Sequence, residues 1–196
     1  MEYKILGGTD LNVSVLSIGT VELGMDYGIR IPNQFERPDE LSSIELIRSA
    51  VKSGINFFDT APAYGTSECV LGKALSSENN CHIATKVLVP NCDEWSIGSI
   101  DCERNVMDSI KSSLRKLQRE SLEIVQIHNA DTVTFQNNKL LNVLQSAKDQ
   151  GMINYVGASV YGVDNALAAV RSEKIDILQL PVSILDQRLI KTVLPI

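Results

Sequence analysis

The stretch that decides the fold is Gly54-Ile55-Asn56-Phe57-Phe58-Asp59-Thr60-Ala61-Pro62-Ala63-Tyr64-Gly65. Its run Ile55–Ala61 is short and mostly apolar, which predicts a β-strand that is buried on both faces. Asp59 lies near the carboxyl end of this strand, and Tyr64 follows five residues later on the next loop. A strand buried on both faces is typical of a parallel sheet that is covered by helices.

Similar apolar runs recur along the chain and alternate with helical patterns. The further predicted strands are Val13–Gly19, Ile83–Val87, Leu122–His128, Ile153–Val160 and Ile175–Val182. Helical periodicity is centred on Ile44–Val51, Met107–Leu117, Leu140–Ala147 and Ala166–Val170. At the N-terminus, the turn sequence Gly7-Gly8-Thr9-Asp10 separates Tyr3–Leu6 from Val13–Gly19 and predicts a hairpin. Strand–helix alternation predicts a parallel sheet, either open and doubly wound or closed as a barrel.

Polar residues at the strand ends favour the barrel. Each predicted strand ends in a residue that can hydrogen-bond or ionise; these are Thr20, Asp59, Lys86, His128, Ser159 and Gln179. In a barrel such residues converge on one mouth, whereas an open sheet spreads them along an edge. The 196 residues are nonetheless short for a closed eight-fold barrel, which typically needs about 250.

The nucleotide-binding motifs of open sheets are absent from the sequence. After the first predicted strand, the residues 19–24 do not fit GxGxxG, and the segment from Gly65 to Lys73 does not have P-loop spacing. Ser17 and Ser67 lie outside any GxSxG turn, which disfavours acyl transfer.

Four of the polar residues form a chemically coherent group. A lysine at an apolar strand end needs a carboxylate partner, and Asp59 is the natural partner of Lys86. A nearby ammonium favours the phenolate, so we expect Lys86 to lower the pKa of Tyr64. His128 can orient a carbonyl group or share its proton. Each residue alone has a structural explanation, but together the four indicate protonation of a developing alkoxide, as in carbonyl reduction.

Composition narrows the class of protein. The net charge of −6, without a cluster of basic residues, argues against a nucleic-acid partner. No apolar stretch is long enough for a membrane helix, no signal peptide is visible, and the four cysteines form no CxxC pair, so we expect a cytoplasmic protein with free thiols. Only two histidines are present, and neither lies in an HExxH motif, so we expect no metal site.

These residues resemble the aldo-keto reductase superfamily. The resemblance rests on segments in the family's order: Ile18–Gly24, Gly54–Gly65 continuing to Leu75, Ile83–Lys86, Gln126–Asn129 and Gly151–Ser159. It implies a (β/α)8 barrel of the TIM type, whose base is closed by an N-terminal hairpin, and NADPH-dependent reduction of an aldehyde or ketone. In the implied roles, Tyr64 is the general acid, Asp59 and Lys86 tune it, and His128 orients the carbonyl. Ser159 and Gln179 hold the nicotinamide carboxamide, and Thr20 and Val21, with Asp59, lie beside the cofactor.

The length of the chain qualifies the resemblance. Six strands are accounted for by Ile196, so we expect an incomplete barrel of about six of the eight βα units, as a single domain over residues 1–196. The family's last two strands and their loops, which carry most pyrophosphate and 2′-phosphate contacts, are not in this sequence. The alternative interpretation is therefore a weakly active or inactive binding or regulatory module. Unpaired strand edges would also permit self-association.

Overall fold

The computed structural model describes residues 1–28, 37–88, 100–136 and 138–196, without the side chains of 100–102. The N-terminal strands β1 (Tyr3–Ile5) and β2 (Asn12–Ser14) form an antiparallel hairpin. Six parallel strands then pair in chain order: β3 (Ile18–Gly19), β4 (Phe57–Asp59), β5 (His82–Leu88), β6 (Leu122–His128), β7 (Ile153–Ser159) and β8 (Ile177–Gln179). The prediction of an incomplete (β/α)8 barrel with an N-terminal hairpin is confirmed.

Helices connect the parallel strands. They are α1 (Val21–Gly24), α2 (Glu40–Lys52), α3 (Ser67–Leu75), α4 (Ile100–Leu117), α5 (Thr132–Gln136), α6 (Asn138–Asp149), α7 (Val163–Arg171) and α8 (Arg188–Thr192). The four predicted helices are α2, α4, α6 and α7. The sequence pattern missed α3, because seven of its nine residues are buried and no polar face marks the helical period.

One predicted strand is wrong as a single element. The run Val13–Gly19 divides into β2 and β3, which belong to different sheets. The chain turns after Ser14, whose hydroxyl donates to the Leu16 carbonyl at 2.6 Å. Val15 and Leu16 lie at this turn and are about half exposed, at 48% and 60%. A run of apolar residues therefore predicted a buried strand where two residues face solvent.

The parallel sheet has apolar residues on both faces. Its outer face packs against the helices and contributes Phe58, Ile83, Val87, Val125, Ile127, Val156 and Ala158 to the main core. Its inner face carries a smaller cluster that the hairpin covers; this cluster contains Leu6, Leu11, Val13, Phe57, Ala84, Ile124, Tyr155 and Ile177. The hairpin is anchored by hydrogen bonds from the Tyr3 hydroxyl to the Gly54 carbonyl and from the Tyr155 hydroxyl to Asp10. The amino-terminal end of the sheet is thus closed, and its polar residues lie at the other end.

Three further expectations concern the edges of the sheet, the cysteines and membrane helices. In the described parts of the chain, β3 and β8 each pair with one strand, and Ile184 and Leu185 beyond β8 are 90% and 97% exposed. Self-association through these edges stays a prediction. Cys69 and Cys81 are free thiols, and Cys92 lies outside the described residues. Among the helices that the structure describes, none is both long enough and apolar enough to cross a membrane.

Candidate active site

The register of the parallel strands brings the predicted polar residues to one end of the sheet. Asp59 on β4 is level with Ala84 on β5, and Lys86 follows two residues later on the same face. Lys86 is paired in register with Gln126 on β6, and Ser159 on β7 is paired with Gln179 on β8. These side chains therefore lie above the apolar inner cluster, at the carboxyl ends of the strands.

A buried ion pair forms the centre of the site. The Lys86 Nζ donates to both oxygens of Asp59 at 2.7 Å and to the Thr60 carbonyl at 2.9 Å, which uses all three of its hydrogens. The Lys86 side chain is only 2% exposed and that of Asp59 is 17% exposed. Burial lowers the pKa of Lys86, and the neighbouring Asp59 carboxylate opposes this shift. The predicted pairing of Lys86 with Asp59 is confirmed.

Tyr64 lies over this ion pair and beside His128. The Lys86 Nζ is 5.0 Å from the centre of the Tyr64 ring, and the Tyr64 and His128 rings meet edge to face at 5.7 Å. The prediction that Lys86 lowers the pKa of Tyr64 is wrong in direction. Burial of the phenol, followed by the charge of Asp59, raises the pKa of Tyr64 to about 12. Asp59 binds the ammonium closely, so the phenol responds to an ion pair rather than to a free cation.

His128 is half-buried at the end of β6. Burial lowers its pKa, the Lys86 charge lowers it further, and the Asp59 charge opposes both. Its Nδ1 atom is buried and has no hydrogen-bond partner among the described residues. The imidazole is therefore neutral near pH 7 and can offer one N–H group to a ligand.

Close backbone packing fixes the loop that carries Tyr64. A Cβ atom on Gly24, at the end of α1, would lie 1.8 Å from the Tyr64 carbonyl oxygen. A Cβ atom on Gly65 would lie 2.3 Å from the Gly24 carbonyl oxygen, and Gly65 also has a φ of +59°. The two glycines let α1 and the Tyr64 loop meet main chain to main chain.

A buried hydroxyl cluster holds the same region from below. The Ser67 Oγ donates to the Thr20 carbonyl at 2.9 Å and lies 2.5 Å from Thr20 Oγ1 and 2.9 Å from Thr60 Oγ1. The backbone N–H of Ser67 donates to the Tyr64 carbonyl at 3.1 Å. This cluster joins the loops after β3 and β4 to the start of α3, so it positions Tyr64 relative to the ion pair.

The residues predicted to hold the cofactor lie at the same end of the sheet. Thr20 and Val21 follow β3 directly, but the Thr20 hydroxyl is buried and hydrogen-bonded to the Asp59 carbonyl. Ser159 and Gln179 are adjacent in register, and the Gln179 Nε2 donates to Asp59 Oδ1 at 3.3 Å. A hydroxyl beside an amide provides both donors and acceptors, which fits a carboxamide group.

Two residues at the site were not predicted to function there. Gln126 is 3% exposed, and its Nε2 donates to Asp59 Oδ1 at 3.4 Å. Gln126 precedes His128 by two residues, so the two side chains lie on the same face of the strand. This spacing could have placed Gln126 at the site from the sequence alone. Ser67 carried no signal, because a serine at a helix start has many structural explanations. In the described part of the chain, no three residues of the metal-binding types lie together.

Comparison with known proteins adds independent findings. A profile described as "Aldo/keto reductase family" matches residues 15–194. The chain is similar to the aldo-keto reductase YhdN of Bacillus subtilis, with 26% identity over 100% of this chain and 58% of that protein. It is also similar in structure to PA4992 of Pseudomonas aeruginosa, with a TM-score of 0.77, 30% identity and coverage of 94% of this chain and 70% of that chain. The holo form of the aldo-keto reductase AKR11C1 of Bacillus halodurans gives a TM-score of 0.76 and 25% identity, with coverage of 97% and 61%. The chain thus spans about three fifths of the curated relative's length.

Proposed function

The chain belongs to the aldo/keto reductase family, and from this premise we propose that it reduces an aldehyde or ketone to an alcohol by hydride transfer from NADPH, with Tyr64 as the general acid. The observation that carries the proposal is the Lys86–Asp59 ion pair beneath Tyr64 and His128, because it places one proton donor in a preorganised electrostatic environment. The substrate class is a small carbonyl compound.

We assign the nicotinamide end of the cofactor to the segment Thr20–Val21 and to the pair Ser159 and Gln179. NADPH supplies a hydride for the carbonyl carbon when it is bound. Ser159 and Gln179 can bind a carboxamide through their hydroxyl and amide groups. Asp59 assists indirectly, since its Oδ1 accepts from the Gln179 amide and so fixes the orientation of that side chain.

Tyr64 holds the proton that the reduction requires. With a pKa of about 12, its phenol is protonated throughout the neutral range. An alkoxide is a much stronger base than a phenolate, because an aliphatic alcohol, like water, is a far weaker acid than a phenol. Proton transfer from Tyr64 to a developing alkoxide is therefore downhill even with the raised pKa.

Lys86 and His128 support this transfer from two sides. The Lys86 ammonium, which is paired with Asp59 and lies 5.0 Å from the ring centre, offsets part of the Asp59 charge that would otherwise oppose the phenolate. The neutral imidazole of His128 can donate an N–H to the carbonyl oxygen and so hold it near the Tyr64 hydroxyl. The site thus has two donors for one oxygen atom.

The decisive experiment compares NADPH oxidation by the wild-type chain and by Tyr64→Phe across a panel of aldehydes and ketones. Loss of general acid catalysis is expected to lower kcat by roughly 10²–10⁴-fold. Tyr3→Phe is the matched control, because it also removes a tyrosine hydroxyl group, but one that lies at the hairpin end of the sheet. Equal rates for wild type and Tyr64→Phe would contradict the proposed role.

The alternative function, a binding or regulatory module, has a different signature. It predicts no carbonyl-dependent oxidation of NADPH, and binding of NADPH in the micromolar range would argue against it. Titration of the wild-type chain with NADPH and with NADH, followed by the same substrate panel, separates the two functions. A cytoplasmic location stays a prediction.

A further inference from the structure

Gln126 occupies a slot that the sheet is built to provide. It lies on the inner face of β6 with 3% exposure, between the ion pair on β5 and Gly157 on β7. A Cβ atom at position 157 would lie only 2.8 Å from the Gln126 Cγ. The absence of a side chain on Gly157 therefore makes room for the glutamine.

The orientation of the Gln126 amide is determined by its neighbour. Its Nε2 donates to Asp59 Oδ1 at 3.4 Å, and the flipped amide would place an oxygen against the carboxylate. The amide Oε1 consequently points away from Asp59. This oxygen is buried and has no hydrogen-bond partner among the residues that the structure describes.

A second buried atom without a hydrogen-bond partner among the described residues belongs to a side chain on the same strand face. His128 is two residues after Gln126, so their Cα atoms are about 6.6 Å apart along β6. Its Nδ1 also lacks a partner in the described part of the chain. A water molecule that donates two hydrogen bonds can bridge two acceptors about 4.5 Å apart, and both side chains project from the same face of β6.

We propose that a buried water molecule binds between Gln126 Oε1 and His128 Nδ1 and donates one hydrogen bond to each. Gln126 is then a positioning residue that connects Asp59 to His128. Because Nδ1 accepts from the water, the imidazole proton resides on Nε2, where it can be donated to a carbonyl oxygen. This choice of tautomer rests on the proposed function, since a carbonyl group only accepts hydrogen bonds.

The test uses the small number of histidines in the chain. Only His82 and His128 are present, so uniform ¹⁵N-histidine labelling gives two imidazole spin systems, which His82→Asn assigns. Long-range ¹H–¹⁵N correlation spectra distinguish the two neutral tautomers without substrate or cofactor. We expect the wild-type His128 to populate the Nε2–H tautomer, and a dominant Nδ1–H tautomer would overturn the proposal.

Two variants separate Gln126 from the ion pair. Gln126→Met keeps the side-chain volume but loses Oε1, so we expect the His128 Nδ1 resonance to shift and the single tautomer to be lost. Gln179→Met is the matched control, because it also removes one donor from Asp59 Oδ1 but lies on β8, which β7 separates from the strand of His128. An unchanged His128 spectrum in a folded Gln126→Met variant would overturn the proposal.

If Gln126→Met does not fold, a high-resolution crystal structure of the wild-type chain decides, because the water must appear between the two named atoms. Turnover is measured separately with NADPH and the carbonyl panel. A Gln126-dependent tautomer without turnover would contradict the proposed function and leave the bridging water in place. Turnover together with an Nδ1–H tautomer would support the proposed function and overturn the bridging water.

Discussion

Replacing Lys86 with methionine is expected to destabilise the fold through the charge that it leaves behind. Methionine retains most of the apolar stem, so the main change is loss of the ammonium group. Asp59 then keeps a largely buried carboxylate with two amide donors, Gln126 at 3.4 Å and Gln179 at 3.3 Å. The Thr60 carbonyl also loses its 2.9 Å hydrogen bond.

The size of the effect follows from the burial of the pair. Removing one partner of a buried ion pair costs roughly 3–5 kcal/mol. The Asp59 side chain is 17% exposed and retains hydrogen bonds, which places the expected loss near the lower end, about 3 kcal/mol. The double variant Asp59→Asn/Lys86→Met leaves no buried charge, so it is expected to lose less than Lys86→Met alone.

Urea denaturation at pH 7, followed by far-ultraviolet circular dichroism, measures these differences in the free energy of unfolding. Lys148→Met is the matched control, since its ion pair with Asp176 is about one-third exposed and its loss is expected to cost at most about 1 kcal/mol. A double variant that loses as much stability as Lys86→Met alone, or more, would refute the reasoning. So would an effect of Lys86→Met no larger than that of Lys148→Met.

Three further predictions concern the site. In Gly24→Ala the Tyr64 carbonyl must move back by about 1.2 Å to stand 3.0 Å from the new Cβ atom, so kcat should fall roughly 10²-fold. Gly8→Ala is the control, because nothing lies within 4 Å of the added Cβ atom and kcat should not change. Equal kcat values for the two variants would contradict the packing argument. Since the pKa of Tyr64 is about 12, kcat for reduction should show no alkaline loss from this residue up to pH 9, and a Tyr64-dependent decline centred near pH 8 would contradict the raised pKa. The pKa of His128 is lower in the folded chain than in the unfolded chain. As the pH falls below about 6.5, the unfolded chain therefore takes up a proton on His128 before the folded chain does, and the free energy of unfolding decreases. His128→Asn should flatten this dependence in urea titrations, His82→Asn should retain it, and an unchanged slope in His128→Asn would count against the assignment.

The strand pattern was predictable where burial alone decides. Parallel strands with two covered faces are apolar throughout, so the runs around Phe58, Ile83 and Val125 were visible in the sequence. The turn between β2 and β3 was not visible, because Val15 and Leu16 are apolar residues at an exposed bend. Hydrophobicity predicts burial on average and cannot mark a turn that hydrogen bonds create.

The site was predictable in its members more than in its energetics. The convergence of Asp59, Lys86 and His128 follows from the register of parallel strands. The direction of the pKa shift of Tyr64 does not, because it depends on whether burial or the Lys86 charge has the larger effect. That balance is visible only in the folded structure, where burial of the phenol has the largest effect and the Asp59 charge adds to it.

The N-terminal hairpin has a consequence for the order of folding. Neighbouring strands of the parallel sheet are consecutive in the chain, so each βα unit can add to the preceding one as it is synthesised. The hairpin is the exception, since its Asp10 carboxylate accepts a hydrogen bond from the hydroxyl of Tyr155, which is 145 residues away. The hairpin, although it precedes the parallel sheet in the chain, therefore completes its contacts only once β7 is present. In this sense the hairpin is locked in place later than most of the strands that follow it.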